Sequence, residues 1–320
     1  MGMIQEVEKQ VQLIEEEIAR IRTVDEGGVL SSMMKQLEEQ KKELKSSYKK
    51  KLTAWDRVYL SRHPSRPKAK DWMEFLFEDL YYLHGDRYFA DDKTVIGGLA
   101  FFDGIPVTVI GTNKGRTLEE NVKCNFGMSN PEGYRKALRL MKQAEKFRRP
   151  VVTIVDTPGA YPGTGAEERG QGEAIARNLM EMSDLKTPII TMITGEGGSG
   201  GALALSVADE ILMLENATFS ILSPEGFASI LWKDAKLAHK AAEQMKMTAG
   251  DLHDLGLVDA VIEEEIAFHK EDFRKTMRQG KKVLGAALKK MMKLSDEELV
   301  ERRYEKYRKI GRIEGINSGI

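Results

Sequence analysis

Cysteine occurs once in this 320-residue chain, at Cys124. That scarcity excludes an internal disulfide and any cysteine-cluster metal site made by this chain alone, and it fits a reducing compartment. Long apolar runs are missing too: no stretch approaches the ~20 residues of a membrane-spanning helix. Met1 is followed by Gly2-Met-Ile-Gln-Glu6 and not by a basic and apolar leader, so the expectation is a cytoplasmic protein with no membrane attachment. Charge of one sign is also lacking. The 49 Lys and Arg nearly cancel the 50 Asp and Glu, and a formal net charge of −1 argues against bulk nucleic-acid binding. The run Lys49-Lys-Lys51 reads as a solvated helix face.

What is present is 41% hydrophobic and 31% charged, enough for one substantial α/β domain with smaller helical additions. Three regions follow: a helical hairpin and linker over 1–68, an α/β core over 69–262 and a charged helical extension over 263–320. In the first, Ile4, Val7, Val11, Ile14, Ile18 and Ile21 form one apolar stripe at intervals of three and four. Gly27-Gly28 break it, and a second helix starts near Ser31 with Leu37, Leu44, Tyr48, Leu52, Trp55 and Tyr59 on its apolar side. Such a stripe closes an intramolecular hairpin or docks another subunit. Arg62-His-Pro-Ser-Arg-Pro67 is the linker, and Asn317-Ser-Gly-Ile320 reads as a loose tail.

The core opens with apolar strands at 94–102 and 105–110 around Asp103-Gly104, a strong hairpin signal. Asn130-Pro131 starts a helix with Tyr134, Leu138, Met141 and Ala144 on its inner face. Two strand, glycine-loop, helix units follow. Val151-Val-Thr-Ile-Val-Asp156 runs into Thr157-Pro-Gly-Ala-Tyr-Pro-Gly-Thr-Gly165. Pro188-Ile-Ile-Thr-Met-Ile-Thr194 runs into Gly195-Glu-Gly-Gly-Ser-Gly-Gly201, with helix expected over Ala202–Ala208. Glycines at such a turn leave the N–H groups of a new helix uncovered, which attracts a phosphate, a carboxylate or a developing oxyanion. Neighbouring strands would bring both loops to one edge of the sheet, where α/β proteins bind ligands.

The second loop satisfies three motif patterns at once. Gly195, Gly197 and Gly200 fit G-x-G-x-x-G, with Glu215 near the distance of a ribose-binding acid. Gly197-Gly-Ser199-Gly-Gly201 fits the nucleophile elbow G-x-S-x-G. The P-loop is excluded, because Gly201-Ala202 stand where Lys and Ser/Thr are required. Asp156-Thr-Pro-Gly159 imitates the D-x-x-G of GTPases, but no P-loop precedes it. After these units come a strand at 210–214, an extended stretch at 217–222 and a helix begun by Ser223-Pro-Glu-Gly226.

Several long segments together resemble one family. Tyr88-Phe-Ala-Asp-Asp92, Asn125-Phe-Gly-Met-Ser-Asn-Pro-Glu-Gly-Tyr-Arg-Lys-Ala137, Asp156-Thr-Pro-Gly-Ala-Tyr-Pro-Gly163, Ala166-Glu-Glu-Arg-Gly-Gln171, Gly195 to Leu203 and Ser223 to Trp232 look like the alpha subunit of bacterial acetyl-CoA carboxylase carboxyltransferase. The resemblance covers nearly the whole chain and keeps the family's order. It implies an α/β fold of the crotonase-like (ClpP-like) ββα spiral type with an N-terminal helical hairpin and C-terminal helices. It further implies an α2β2 assembly whose beta subunit carries a zinc ribbon. The implied reaction moves a carboxyl group from biotin, carried on a separate biotin carboxyl carrier protein loaded by biotin carboxylase, to acetyl-CoA, giving malonyl-CoA for fatty acid synthesis.

By the same resemblance, Gly200 and Gly201 match the glycine pair that stabilises the biotin oxyanion, with Gly198 or Ala202 entering if the register slips by one. Gly159, Ala160, Gly163, Gly198, Ser223 and Gly226 would line the carboxybiotin cleft, and no metal is held by this chain. Lys114, Arg116 and Arg135 are candidates for CoA phosphates or the transferred carboxylate, against a structural or solvated role for each. A serine hydrolase would instead use Ser199 with His239, His253 or His269 as base. A non-catalytic scaffold organised by the N-terminal hairpin is the third reading.

Overall fold

The computed structural model describes residues 3–24 and 30–311; the expected break at Gly27-Gly28 and the tail at 317–320 lie outside the described residues. The first apolar stripe forms α1 (Met3–Val24), which buries Ile4, Val7, Val11, Ile18 and Ile21. It packs along α2 (Ser31–Lys49), and Ile4, Val7 and Val11 cluster with Leu60, Ile266 and Phe268. The stripe is therefore covered by its own chain. Leu52, Trp55 and Tyr59 do not continue α2. They fall on either side of the start of α3 (Ala54–Arg62), because Thr53 accepts the Asp56 N–H while the Asp56 carboxylate accepts the Thr53 N–H. This capping box starts a new helix where hydrophobic periodicity alone continues the old one.

Beyond α4 (Ala69–Leu76), strands β1 (Glu78–Tyr82), β2 (Val95–Phe102) and β3 (Ile105–Thr112) form an antiparallel meander. The β2–β3 turn is at Asp103-Gly104, both in left-handed backbone, φ 47° and 79°. That is the conformation a two-residue hairpin demands. Helices α5 (Leu118–Lys123) and α6 (Pro131–Lys146) lead to β4 (Val151–Thr157). Then come α7 (Thr164–Glu168), α8 (Gln171–Ser183), β5 (Ile189–Gly198), α9 (Ser199–Leu203), β6 (Glu210–Leu214) and β7 (Thr218–Ser220). Helices α10 (Pro224–Trp232), α11 (Ala238–Gln244) and α12 (Ala249–Asp254) precede β8 (Ala260–Ile262), and α13 (Arg274–Met291) and α14 (Asp296–Lys309) close the described chain.

The sheet runs β1-β2-β3-β4-β5-β6-β8, parallel from β3 onward, with β7 added beside the far end of β5. Every residue of β4 is buried, as expected of a parallel strand covered on both faces. Gly97 faces Leu140 of α6, whereas Gly111 faces Ala69 and Met73 of α4, so the two helices cover opposite sides. On α6 the buried face is Tyr134, Ala137, Leu140, Met141 and Ala144; Leu138 is only half-buried, one position off the expected face.

The C-terminal helices belong to this core. Leu284, Leu288 and Met291 of α13 and Leu299 of α14 join the main hydrophobic cluster. Arg303, wholly buried on α14, pairs with Asp209 at 2.9 Å and donates to the carbonyls of Met182, Leu185 and Thr187. Replacing Arg303 with Met strands the Asp209 carboxylate, which is also fully buried. The expected loss is about 3–5 kcal/mol of unfolding free energy in a urea melt. A loss below about 1 kcal/mol would show that α14 is not held by this pair.

Candidate functional site

Parallel pairing sets Val151 opposite Ile189 and Val155 opposite Ile193, so β4 and β5 release their loops at one sheet edge. The neighbouring-strand arrangement expected from sequence is present. The turn itself comes later than expected. β5 continues through Gly195 to Gly198, because Glu196, Gly197 and Gly198 pair with Thr218, Phe219 and Ser220 of β7. The following helix is also shorter than the expected 202–208. α9 ends at Leu203, and side chains take over the carbonyls beyond it: Asn178 Nδ2 donates to Ala204 at 3.0 Å, and Thr153 and Thr191 hydroxyls donate to Leu205 at 2.8 and 3.2 Å.

The loops touch where neither has a side chain. A Cβ on Gly198 would sit 2.1 Å from the Pro158 carbonyl oxygen, and one on Gly201 would sit 2.5 Å from both Ala160 N and Gly159 C. Such overlaps are with backbone, which cannot swing aside. Gly200 differs: its Cβ would meet Ile175 methyl groups at 3.6 and 3.7 Å, an ordinary contact. The N–H groups of Gly198, Ser199, Gly200 and Gly201 belong to the cap and first turn of α9 and have no acceptor inside that helix. Gly198, Ser199 and Gly200 are half-buried and Gly201 is buried. Backbone donors at this junction suit an oxyanion and need no titrating partner.

The structure thus brings Gly159, Ala160, Gly198, Gly200 and Gly201 together. Ala160 also bridges to Ser129 and packs with Tyr134, Ala174 and Ala204. Ser223 and Gly226 stand at the start of α10, where the Ser223 hydroxyl accepts the Gly226 N–H at 3.1 Å. That cap follows closely on Ser220, the partner of Gly198, so it lies at the same sheet edge. Gly163 is more remote from the junction in chain terms: it caps α7 and lies against the Tyr161 ring.

Beneath the loops runs a line of alternating charge. Lys114 Nζ lies 2.7 Å from Asp156 and 2.8 Å from Glu196; Arg62 lies 2.7 Å from Glu196 and 2.6 Å from Glu225. It joins the end of β4, the glycine segment of β5 and the first turn of α10. Burial pushes the Asp156 carboxyl up, but Lys114 and Lys68 outweigh that and hold it below its ordinary 3.8. Burial likewise works against the Lys114 charge, and Asp156 and Glu196 overcome it, raising its pKa above 10.5. Lys114 is therefore neutralised within the fold, and Arg116 is engaged by Asp71 at 2.8 Å and Glu74 at 2.7 Å. Of the three candidate cations, Arg135 alone has no carboxylate partner among the described residues. It donates to the Arg169 carbonyl at 2.5 Å.

Sequence reasoning did not find this line, and it placed Tyr134 on the inner face of α6 without bringing it to the site, where its hydroxyl lies under Gly201 and burial raises its pKa. Asp156 and Glu196 were conspicuous as acids in apolar or glycine-rich strands. Their partners Lys114 and Arg62 lie 42 and 134 residues away and no local pattern names them.

A family model described as acetyl co-enzyme A carboxylase carboxyltransferase-like matches residues 4–311. An acetyl-coenzyme A carboxylase carboxyl transferase subunit alpha from Listeria monocytogenes serovar 1/2a is 51% identical over 313 residues, 97% of this chain and 98% of that protein. The subunit of the same name from Geobacillus sp. (strain WCH70) is 54% identical over 284 residues, 89% and 87% of the two chains. Among solved structures, transcarboxylase 12S aligns with a TM-score of 0.58 at 18% identity over 71% of this chain, which spans only 42% of the transcarboxylase chain. The Pseudomonas malonate decarboxylase MdcD-MdcE hetero-dimer aligns with a TM-score of 0.56 at 19% identity, over 68% of this chain and 89% of that one. These structural matches carry the crotonase-like fold.

Proposed function

The chain belongs to the family of acetyl-CoA carboxylase carboxyltransferase alpha subunits, and from that membership we infer that the loop junction of β4 and β5 is its carboxyl-transfer site. It is a biotin-dependent carboxyltransferase that acts with a beta subunit and forms malonyl-CoA from acetyl-CoA. The observation that carries the site assignment is the contact of two loops through Gly198 and Gly201, which leaves the first-turn N–H groups of α9 free of intrahelical acceptors. When bound, carboxybiotin supplies the carboxyl group. The N–H groups of Gly200 and Gly201 stabilise the charge that grows on the ureido oxygen, and they require no reorganisation as it grows. Gly159, Ala160 and Gly198 form the wall facing them; Ser223 and Gly226 border the cleft, with Gly163 at its far end. Carboxybiotin bound there would supply a basic ureido nitrogen as its carboxyl leaves, and the part of this chain's own residues would be to hold the ring and its oxygen in place.

In this reading residues 69–262 are the carboxyltransferase unit, and 1–68 and 263–320 are helical additions to it. The full assembly is α2β2 with zinc held in the beta subunit, and it meets the biotin carboxyl carrier protein loaded by biotin carboxylase. No helix among the described residues is long and apolar enough to cross a membrane. A cytoplasmic location fits the single cysteine, Cys124.

One observation favours the hydrolase alternative: Ser199 sits at a strand-to-helix turn with φ +51°, the strained setting of a nucleophile elbow. Its candidate bases lie elsewhere. His269 pairs with Glu15 of α1, His253 is beside Asp254, and His239 lines a groove with Thr53 and Trp55. The test is malonyl-CoA-dependent carboxylation of biocytin by the chain mixed with a matching beta subunit. Activity appearing only in the mixture, and kept within a few-fold by Ser199→Ala, is the expected result. A loss of about 10⁴-fold or more in Ser199→Ala would return the site to covalent catalysis.

A further inference from the structure

Away from the glycine loops, a groove of about 930 Å³ lies between the outer faces of α6 and α8 and the segment 86–88. Its size is within the range of small-ligand sites. Arg135 and Arg139, one turn apart on α6, enter it together with Arg87. Among the described residues none of the three has a carboxylate within ion-pair distance. Each is tied to backbone carbonyls. Arg135 Nη2 donates to Arg169 at 2.5 Å, Arg139 Nε to Gly85 at 3.1 Å, and Arg139 Nη2 and Arg87 Nη1 both donate to the one carbonyl of His84, at 3.2 and 2.9 Å.

Two guanidinium groups converging on a single carbonyl oxygen repel each other, since a carbonyl neutralises neither charge. Burial and then Arg87 lower the pKa of Arg139, and Asp91 and Asp86 offset only part of that. The acids around the groove are already engaged. Glu173 pairs with Arg177 at 3.0 Å, and Glu181, at 3.5 Å, shares Lys142 with Glu145. Buried Asp86 accepts the N–H groups of Tyr88, Phe89 and Ala90 through Oδ1, which fixes Arg87 in left-handed backbone at φ +72°. Its Oδ2 has no partner and offsets one of the three positive charges, and the groove keeps an excess of positive charge. At the rim Tyr88 is 87% exposed, an aromatic face available for stacking.

We propose that this groove binds a small ligand carrying at least two phosphoryl groups, held by Arg87, Arg135 and Arg139. Guanidinium forks match phosphate oxygens bidentately, and three forks fixed by carbonyls lose little freedom on binding. A single phosphate has four oxygens and pairs bidentately with at most two forks before oxygens must be shared, so a second phosphoryl group serves the third. Two sources share this chemistry: the phosphorylated ADP end of a coenzyme A ester, and a free nucleoside polyphosphate. The site is separate from the carboxyl-transfer cleft, and its test reads binding, so failure here leaves that assignment standing.

The experiment is calorimetric titration of the full chain at about 50 mM salt, where phosphate contacts are little screened. Inorganic pyrophosphate, orthophosphate, coenzyme A and ATP are titrated in separate arms. Pyrophosphate should bind saturably and more tightly than orthophosphate. The double variant Arg87→Gln/Arg139→Gln should weaken it at least about tenfold, whereas Arg177→Gln, which removes an arginine already paired, should change it less than about twofold. Whichever of coenzyme A and ATP binds more tightly identifies the source. As a readout independent of variants, pyrophosphate should protect Arg87 and Arg139 of the unaltered chain from phenylglyoxal, scored by peptide mass. No saturable pyrophosphate binding, equal affinity in the double variant, or no protection of these arginines overturns the proposal.

Discussion

Gly201→Ala is expected to lower turnover of the assembled enzyme by about 10²-fold or more, while Gly200→Ala lowers it far less. The two glycines are adjacent and share one motif, yet their surroundings differ. A Cβ at 201 meets Ala160 N and Gly159 C at 2.5 Å and the Tyr134 hydroxyl at 2.9 Å. Relief requires the loops after β4 and β5 to part by roughly an ångström, and a shift of that size typically costs about 10²-fold in rate. At 200 the new methyl finds Ile175 at 3.6 Å, and the backbone is outside the left-handed region. Gly200→Ala should also melt within about 1 kcal/mol of the parent, whereas Gly201→Ala should lose about 1–3 kcal/mol from overpacking. The measurement is kcat for biocytin carboxylation, with a urea melt of each variant. Equal losses at the two positions would mean that bound biotin is what a methyl at 200 obstructs. Full activity in Gly201→Ala would remove loop contact from the account.

The second large effect concerns the charges beneath those loops. Lys114→Met should cost about 3–5 kcal/mol, because the Asp156 carboxylate, which is 1% exposed, would lose its nearest cation. Glu196 would keep Arg62 at 2.7 Å, so the damage centres on Asp156. Adding Asp156→Asn to Lys114→Met should recover part of the loss. The amide removes the stranded charge and still offers an oxygen to the Glu196 N–H, which Asp156 accepts at 3.0 Å. A double variant no more stable than Lys114→Met alone would contradict this account.

The pH dependence follows from the same pair. The folded pKa of Asp156 lies below 3.8, so its contribution is complete above that value and is lost as pH falls through the folded pKa. The folded pKa of Lys114 lies above 10.5, so its contribution is complete below that value and is lost as pH rises through the folded pKa. The stability gap between parent and Lys114→Met should be flat across neutral pH and narrow at both extremes.

How much of this was legible in the chain depends on the range of the interaction. The hairpin at Asp103-Gly104, the helix after Asn130-Pro131 and the buried strand at 151–156 were readable because each is specified by neighbours within a few residues. The readings that shifted did so where distant chain intervened. β5 outran its glycines because β7 supplied hydrogen-bond partners. α9 stopped early because Asn178, Thr153 and Thr191 took its next carbonyls. The assumed single helix after Ser31 divided at Thr53, a capping signal that was present locally but masked by the apolar period.

Sequence by itself determined the family, through long ordered motifs, and the two strand, glycine-loop, helix units. It also placed glycines at 198, 200 and 201 without saying which of them a close approach of the loops requires. Tertiary structure alone decided that they do meet, which of the two glycines in Gly200-Gly201 is pressed against backbone, and which cations are already neutralised. Lys114 and Arg116, which the chain left between ligand contact and a structural role, are spent on buried or neighbouring carboxylates, while Arg135 is not. The physical reason is one of distance. Backbone conformation is set by adjacent residues, but an ion pair or a steric overlap exists only when segments far apart in sequence come within a few ångströms.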